Sequence, residues 1–558
     1  MKLPLRWERL WWRLRYLRPT QVLQRLHLRL RPPGQLAAVD TPVWRVPPGR
    51  YLESAPMPAH CRGGDQLVLL GSELAWTAGS AWPDRVPGKK LRMELNTFNW
   101  LWSCEPALAS ERLEAWIEAH KIPGGPAWHP YITSQRIANW LKWSLQGEVP
   151  GASLRESLAQ QLRYLEPRLQ YDECDHKLIN NAKALLFAGH VLEDTRSHRW
   201  RRLGLRLLSR YLPRVQHPDG GYQGRSPMYH NALLHDLLDI INLLQACGRP
   251  LPDGLRERCL AAMRWSRALC HADGRPALFN DAALDVVAST PDLTDYARRL
   301  GLLTADADRD TPGSCWLPDS GFGRLSCGPA LLLADMGPPG PDHAASHGHA
   351  GALGFEFSLG QQRVLVDTGL STYESLAERE YERSTAAHNT LVVDAHNSSD
   401  VWGLFKLGRR AKISAAGFRE QTGQARLWAA HDGYSRLQPG LLHRRDWQLE
   451  GGRLCLEDRV EGRGQHELAL YFHLHPALSA ELTGPDVARL ALPDGRRLTL
   501  TVDQGLNLAL QAGYRATHFD RRQPCTVICA SGVFCLPITL RCRLEGWSQS
   551  VPDLGHRE

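Results

Sequence analysis

The sequence predicts an α+β multidomain chain, with an α-helical domain followed by an antiparallel β-sandwich. Three observations carry this. The 558 residues leave room for several domains of roughly 150 residues each. Hydrophobic residues at 43% and charged residues at 23% fit a folded globular chain rather than a disordered or fibrous one. The spacing of apolar residues changes near residue 305, from the three- and four-residue steps of helices to short alternating runs.

Residues 1–40 read as a basic amphipathic N-terminal segment. Arginines interrupt every apolar run in residues 1–31, so no secretory h-region forms. No apolar run reaches the length of about 18 residues that a membrane span needs. Trp7 to Leu17 mixes Trp, Leu and Arg at helical spacing. Two readings are open: a helix in peripheral contact with an anionic membrane, or a basic helix packed on the protein's own body.

Residues 41–305 read as helices. Leu154, Leu158, Leu162, Leu165 and Leu169 fall at three- and four-residue steps, and so do Leu233, Leu234, Leu237, Leu238, Ile241 and Leu244. Breaks such as HPDGG at 217–221 separate the helices. Helix pairs with short breaks predict a toroid or solenoid, though no exact repeat is visible. Residues 306–558 carry runs such as ALLLADMG, ELALYFHLHP and RLTLTVD between Gly, Asp and Pro turns, the pattern of a sandwich. Phe355 to Asp367 reads as one hairpin around Gly360. A cleft between the two domains is the expected binding site.

The net charge of +8, from 67 Lys+Arg against 59 Asp+Glu, excludes a histone-like chain and suits an anionic partner. No nucleic acid is expected, because no basic run exceeds three residues and no known module appears. The 13 cysteines are odd in number and scattered, with no CxxC pair. They predict reduced thiols rather than a disulfide framework. The expected location is the cytoplasm, in reach of the inner membrane, with the periplasm as the alternative. Oligomeric state is not legible.

Four clusters hold candidate chemistry. In His343-Ala-Ala-Ser-His347-Gly-His349, the last two histidines face one side if the segment is extended. Asp367 and His388 lie at the ends of later runs. Two His and one Asp suit zinc with an open position, and strand-end histidines without metal are the alternative. In residues 216–236, Tyr229 falls at a helix start whose dipole favours a phenolate, and Arg225 can clasp a carboxylate. The same pair can simply cap and pack the helix. His176, Lys177 and Asn181 sit at another helix start, as carboxylate binders or as capping residues. Arg136, Trp140 and Trp143 fit a sugar groove or a helix-pair core.

Eight segments in order, among them NNAKALLFAGHVL, HPDGGYQGRSPMYHNALLHDLLD, HGHAGALGFEF, RVLVDTG and RSTAAHNTLVVD, resemble the heparinase II/III-like polysaccharide lyases and their alginate-lyase relatives. The resemblance implies an incomplete (α/α) toroid before the sandwich and β-elimination of an acidic, uronate-containing polysaccharide such as an exopolysaccharide. It implies Tyr229 as acid or base, His347 as catalytic histidine, and His349, Asp367 and His388 as ligands of a structural zinc, with His431 in reserve. His176 and Lys177 stand where many relatives have an Asn-His pair whose Asn binds the uronate carboxylate. Gly351 stands where many have Asp.

Two other functions are expected to leave different traces. A glycoside hydrolase needs two carboxylates across the cleft, for which Asp281, Asp285 and Asp219 are candidates. A non-catalytic glycan-binding protein needs neither.

Overall fold

The computed structural model describes residues 5–547, except 31–35, 37, 64, 78, 84, 148, 304–311, 422 and 504. The expected boundary at 305–306 lies outside the described residues. Two short helices come first, α1 (Leu5–Arg15) and α2 (Pro19–Arg29). The helical part continues with α3 (Lys89–Leu95), α4 (Pro106–Ala119), α5 (Pro130–Gln146), α6 (Ala152–Leu165), α7 (His176–Val191), α8 (Ser197–Val215), α9 (Pro227–Ala246), α10 (Leu255–Ala268) and α11 (Thr290–Arg299).

Local chemistry sets where the two central helices begin. Asp175 caps α7 by accepting from the Lys177 amide. Ser226 caps α9 by accepting from the Tyr229 amide, and Pro227 supplies a preset first turn. Nearly every residue of α7 and α9 is buried, so both run through the interior, and α7 packs against α5, α8 and α9. Helix α8 instead turns its arginines outward and buries Trp200, Leu207, Leu208 and Leu212.

One antiparallel meander interrupts the helices: His60–Arg62, Gln66–Leu69 and Ser72–Ala75. Strands this short fall below the length at which alternation can be read. Cys61 is joined to Cys104 by a disulfide, which corrects the expectation that every thiol is free; the other eleven cysteines are unpaired.

The C-terminal part is antiparallel throughout its named strands. Five strands from Cys315–Leu317 to Gln362–Leu365 pair in sequence order, and the last two form the expected hairpin at Gly360. Gly360 has φ +61, a left-handed turn conformation that glycine adopts without penalty. An eight-stranded sheet runs from Ile413–Gln421, and a four-stranded sheet contains Leu391–Val393 and Gln465–His473. Leu332 and Phe357, Leu427 and Trp447, and Leu470 and Ile528 bring the three sheets into one apolar core. A short helix, α12 (Leu376–Glu382), lies between the first sheet and the rest.

The two parts are fastened together. Trp265 of α10 and Leu269, just after it, share a buried cluster with Phe322, Leu331 and Leu333 of the first sheet. Arg225, just before α9, donates to the carbonyls of Ser320, Gly321 and Pro338 and pairs with Asp335. A Cβ on Gly337 would fall 2.4 Å from that guanidinium, so the position requires glycine. Arg225 is therefore a strap between the parts and not a clasp for a substrate carboxylate. Among the described residues, no helix is long and apolar enough to cross a membrane.

Candidate active site

A cavity of about 700 Å³ lies between the helical and sheet parts. Tyr131, His176, Lys177 and Tyr229 line it from the helices, and His347, Tyr373 and Phe405 line it from the sheet side. The structure thus brings four of the expected residues to one cavity.

Tyr229 sits in the first turn of α9. Its hydroxyl is 2.9 Å from that of Tyr373, and its ring stacks on His176 with centroids 4.5 Å apart. Burial, reinforced by the negative charge of Asp281, pushes the Tyr229 phenol above its usual range. The helix dipole expected to favour a phenolate is a term of at most about 1–2 kcal/mol and loses to desolvation. Tyr229 is a neutral phenol with a proton to give.

His347 lies in a turn rather than a strand, yet it does converge with His349. Both rings meet one carboxylate: His347 Nδ1 is 2.6 Å from Asp281 Oδ2, and His349 Nε2 is 2.9 Å from Asp281 Oδ1. Arg379 of α12 pairs with the same carboxylate at 2.5 Å. Burial alone would raise the Asp281 carboxyl, but Arg379 and the two imidazoles outweigh it and hold it well below the usual range. Asp281 thus holds the His347 ring by its Nδ1, and the ring lines the cavity.

His176 is fully buried. Its Nδ1 is 3.0 Å from the Tyr222 hydroxyl, and its Nε2 has no partner. Burial, then the charge of Lys177, push its imidazole well below its usual range, so the ring is neutral. Lys177 stands beside Asp175, at 3.3 Å, and Glu173. Burial works against its charge, but the two carboxylates outweigh it and hold the ammonium above its usual range. Lys177 is a fixed cation on the cavity wall.

Other expected residues are placed elsewhere. Arg136 is fully buried, donates to Gln161 and the Ala127 carbonyl, and lies over the Trp116 ring. Trp140 is equally buried, edge-on to Phe98 and Trp116. Asn181 accepts from the Gln170 amide and donates to Ser134. All three are core residues: apolar packing and internal hydrogen bonds use up what a sugar would need. The hydrolase candidates are likewise committed. Asp281 is sealed among its partners, Asp285 accepts from the Phe519 amide, and Asp219 holds Gly221 and Ser320.

The implied zinc ligands fit a metal in part. His349 Nδ1 and His388 Nε2 are buried without a hydrogen-bond partner, and the two rings are 5.4 Å apart. Asp367 spends one oxygen on His388 Nδ1 at 2.7 Å and the other on the Gly369 amide. It braces His388 from behind. Among the described residues, no three His, Cys, Asp or Glu side chains converge as a metal cradle. A Cβ on Gly351 would lie 3.0 Å from the His388 ring, so a side chain there would crowd it. His431, the reserve ligand, accepts from the Gly433 amide and faces His443 instead.

Sequence reasoning missed Tyr373 and Arg379, and it read Asp281 only as a hydrolase carboxylate. Tyr373 and Arg379 stand alone in LSTYESLAERE, with no pattern around them to mark them.

The helical part, the antiparallel sheets and the cavity between them define a class. The fold is that of polysaccharide lyases. Heparinase III matches over 85% of this chain and 80% of its own, with a TM-score of 0.67 at 16% identity. A heparan sulfate lyase of Pedobacter heparinus matches over 87% and 81%, with a TM-score of 0.63 at 16% identity. Two family models match in succession: Heparinase II/III N-terminus at residues 126–298 and Heparinase II/III-like, C-terminal at residues 309–541. The chain belongs to the heparinase II/III-like family. It is also 24% identical over 431 residues to the FtsZ-localized protein C of Caulobacter vibrioides, covering 71% of each chain.

Proposed function

We propose that this protein is a lyase that cleaves a uronate-containing acidic polysaccharide by β-elimination. The observation that carries the reading is one cavity holding a neutral Tyr229 phenol, a His347 held by Asp281, and the Lys177 cation. Lys177 offers a charge to the uronate carboxylate, where negative charge builds as the C5 proton leaves. His347 Nε2 takes that proton, and the C5–H electrons become the C4–C5 double bond. The C4–O bond breaks, and Tyr229 gives its proton to the departing glycosidic oxygen. Tyr373 steadies the Tyr229 hydroxyl. His176 presents one unpartnered ring nitrogen beside it. The helical part is read as an incomplete (α/α) toroid, supported by the successive packing of α5, α7 and α9.

The test is a panel of uronate polymers, glycosaminoglycans and alginate included, followed by the ultraviolet absorbance of the unsaturated product. The expected result is product from at least one polymer and a loss of about 100-fold or more in Tyr229→Phe. New reducing ends without unsaturation would overturn it in favour of hydrolysis. Polymer binding with no product would select a non-catalytic glycan binder, a second reading that the His176–Lys177 pair favours. The likeness to a protein named as FtsZ-localized supports co-localisation with FtsZ, which a fluorescent fusion would test; the proposed compartment is the cytoplasm.

Zinc is proposed at His349 and His388, on the strength of their two orphaned nitrogens, with Asp367 fixing the His388 ring. The ion would brace the loops of the cavity wall. Metal analysis of the purified protein should find zinc, and chelation should lower the melting temperature. Metal-free protein that melts unchanged would remove zinc from the reading.

A further inference from the structure

Helices α1 and α2 lie on the body through one face each. Arg9 pairs with Asp400 at 3.0 Å, Arg409 and Arg410 stack on Trp12 and Tyr16, and Gln21 donates to the His343 carbonyl. Gln24 donates to the Leu169 carbonyl on the helical side. The residues so used, Arg9, Trp12 and Tyr16 and then Gln21 and Gln24, recur at helical steps. The opposite faces are apolar and open. Trp7, Leu10, Trp11 and Leu14 of α1, with Val22, Leu23, Leu26 and Leu30 at α2, are 40–73% exposed. Their spacing of three and four residues makes one stripe on each helix.

Charge says what covers these stripes. Residues 1–31 contain nine Lys and Arg and one Glu, a net charge of +8. That equals the net charge of the whole chain, so the remaining residues carry 58 charges of each sign. The entire charge excess of the protein is gathered on the segment that carries Trp7, Trp11 and five exposed leucines. A second copy seated on this face would bring +8 against +8. A bilayer with anionic headgroups meets both demands: Trp and Leu enter the headgroup boundary while the arginines face phosphates.

We infer that α1 and α2 form a peripheral membrane-docking surface for anionic lipid. The docking itself needs no spanning segment. The inference is independent of the lyase reading, since it needs no substrate.

The experiment is co-sedimentation of the full-length protein with vesicles. One set is phosphatidylcholine alone, and the other contains about one-third phosphatidylglycerol. Binding is expected to the anionic vesicles only, weakening by about tenfold or more when salt rises from about 0.1 to 0.5 M. The variant Trp7→Ser/Trp11→Ser/Leu14→Ser should bind about tenfold or more weakly with an unchanged melting temperature, because these side chains face outward. If that variant fails to fold, Leu23→Ser/Leu26→Ser provides the same readout on α2. No vesicle binding, equal binding to both vesicles, or binding unaltered in a folded variant overturns the inference. So does a dimer in light scattering that the variant abolishes while vesicles go unbound, which would assign the face to self-association.

Discussion

Asp281 ties the groups of the site together. Three partners share its two oxygens: His347, His349 and Arg379. Asp281→Ala is expected to cost about 3–5 kcal/mol, read as a lowered denaturation midpoint, because it leaves Arg379 charged and buried without its partner. Asp281→Asn should keep most of the fold, yet reduce any eliminative activity by about 100-fold or more. The amide can present its NH2 to His347 and turn the ring's proton to the wrong nitrogen. A fully active Asp281→Asn enzyme would remove Asp281 from its orienting role. At this scale the sequence told half. Tyr229, His347 and Lys177 stand in dense polar segments at helix starts or turns. Tyr373 and Arg379 reach the cavity only because the chain returns past it after the first sheet, and nothing local marks that return.

The segment between α10 and α11 shows what one buried carboxyl does to the seam between the two parts. Asp285 accepts from the Phe519 amide, and its other oxygen has no partner. Burial pushes its carboxyl up to about 7. Its folded pKa thus lies above the unfolded value of about 4. The stability it contributes is complete below pH 4 and is lost as pH rises through 7. Asp285→Asn should therefore gain on the native protein in unfolding free energy as pH rises from 5 to 8, by about 2–3 kcal/mol. A difference that does not grow with pH would refute this. Helices were the most legible elements, since leucines at three- and four-residue steps admit no other period. The meander at 60–75 was not, because its strands are three and four residues long. Arg136, Trp140 and Asn181 misled for a related reason. Polar and aromatic residues on a helix look alike whether they line a groove or face a core, and these three lie on the core-facing sides of α5 and α7.

For the molecule as a whole, the change of apolar period near residue 305 foretold helices before strands, and the cavity does lie between them. What the period could not tell is how firmly the parts are joined. The strap at Arg225 depends on a left-handed residue (φ +58), on carbonyls about a hundred residues away and on a glycine at 337. No sequence pattern encodes such a junction. Its consequence is cooperativity. Separating the parts would strip a buried guanidinium of its carboxylate and three carbonyls at once, so neither part has a partly melted state of low energy to visit alone. Scanning calorimetry is expected to record a single endotherm whose van't Hoff and calorimetric enthalpies agree. In Arg225→Met that endotherm should divide in two, with the helical and sheet parts surrendering separately.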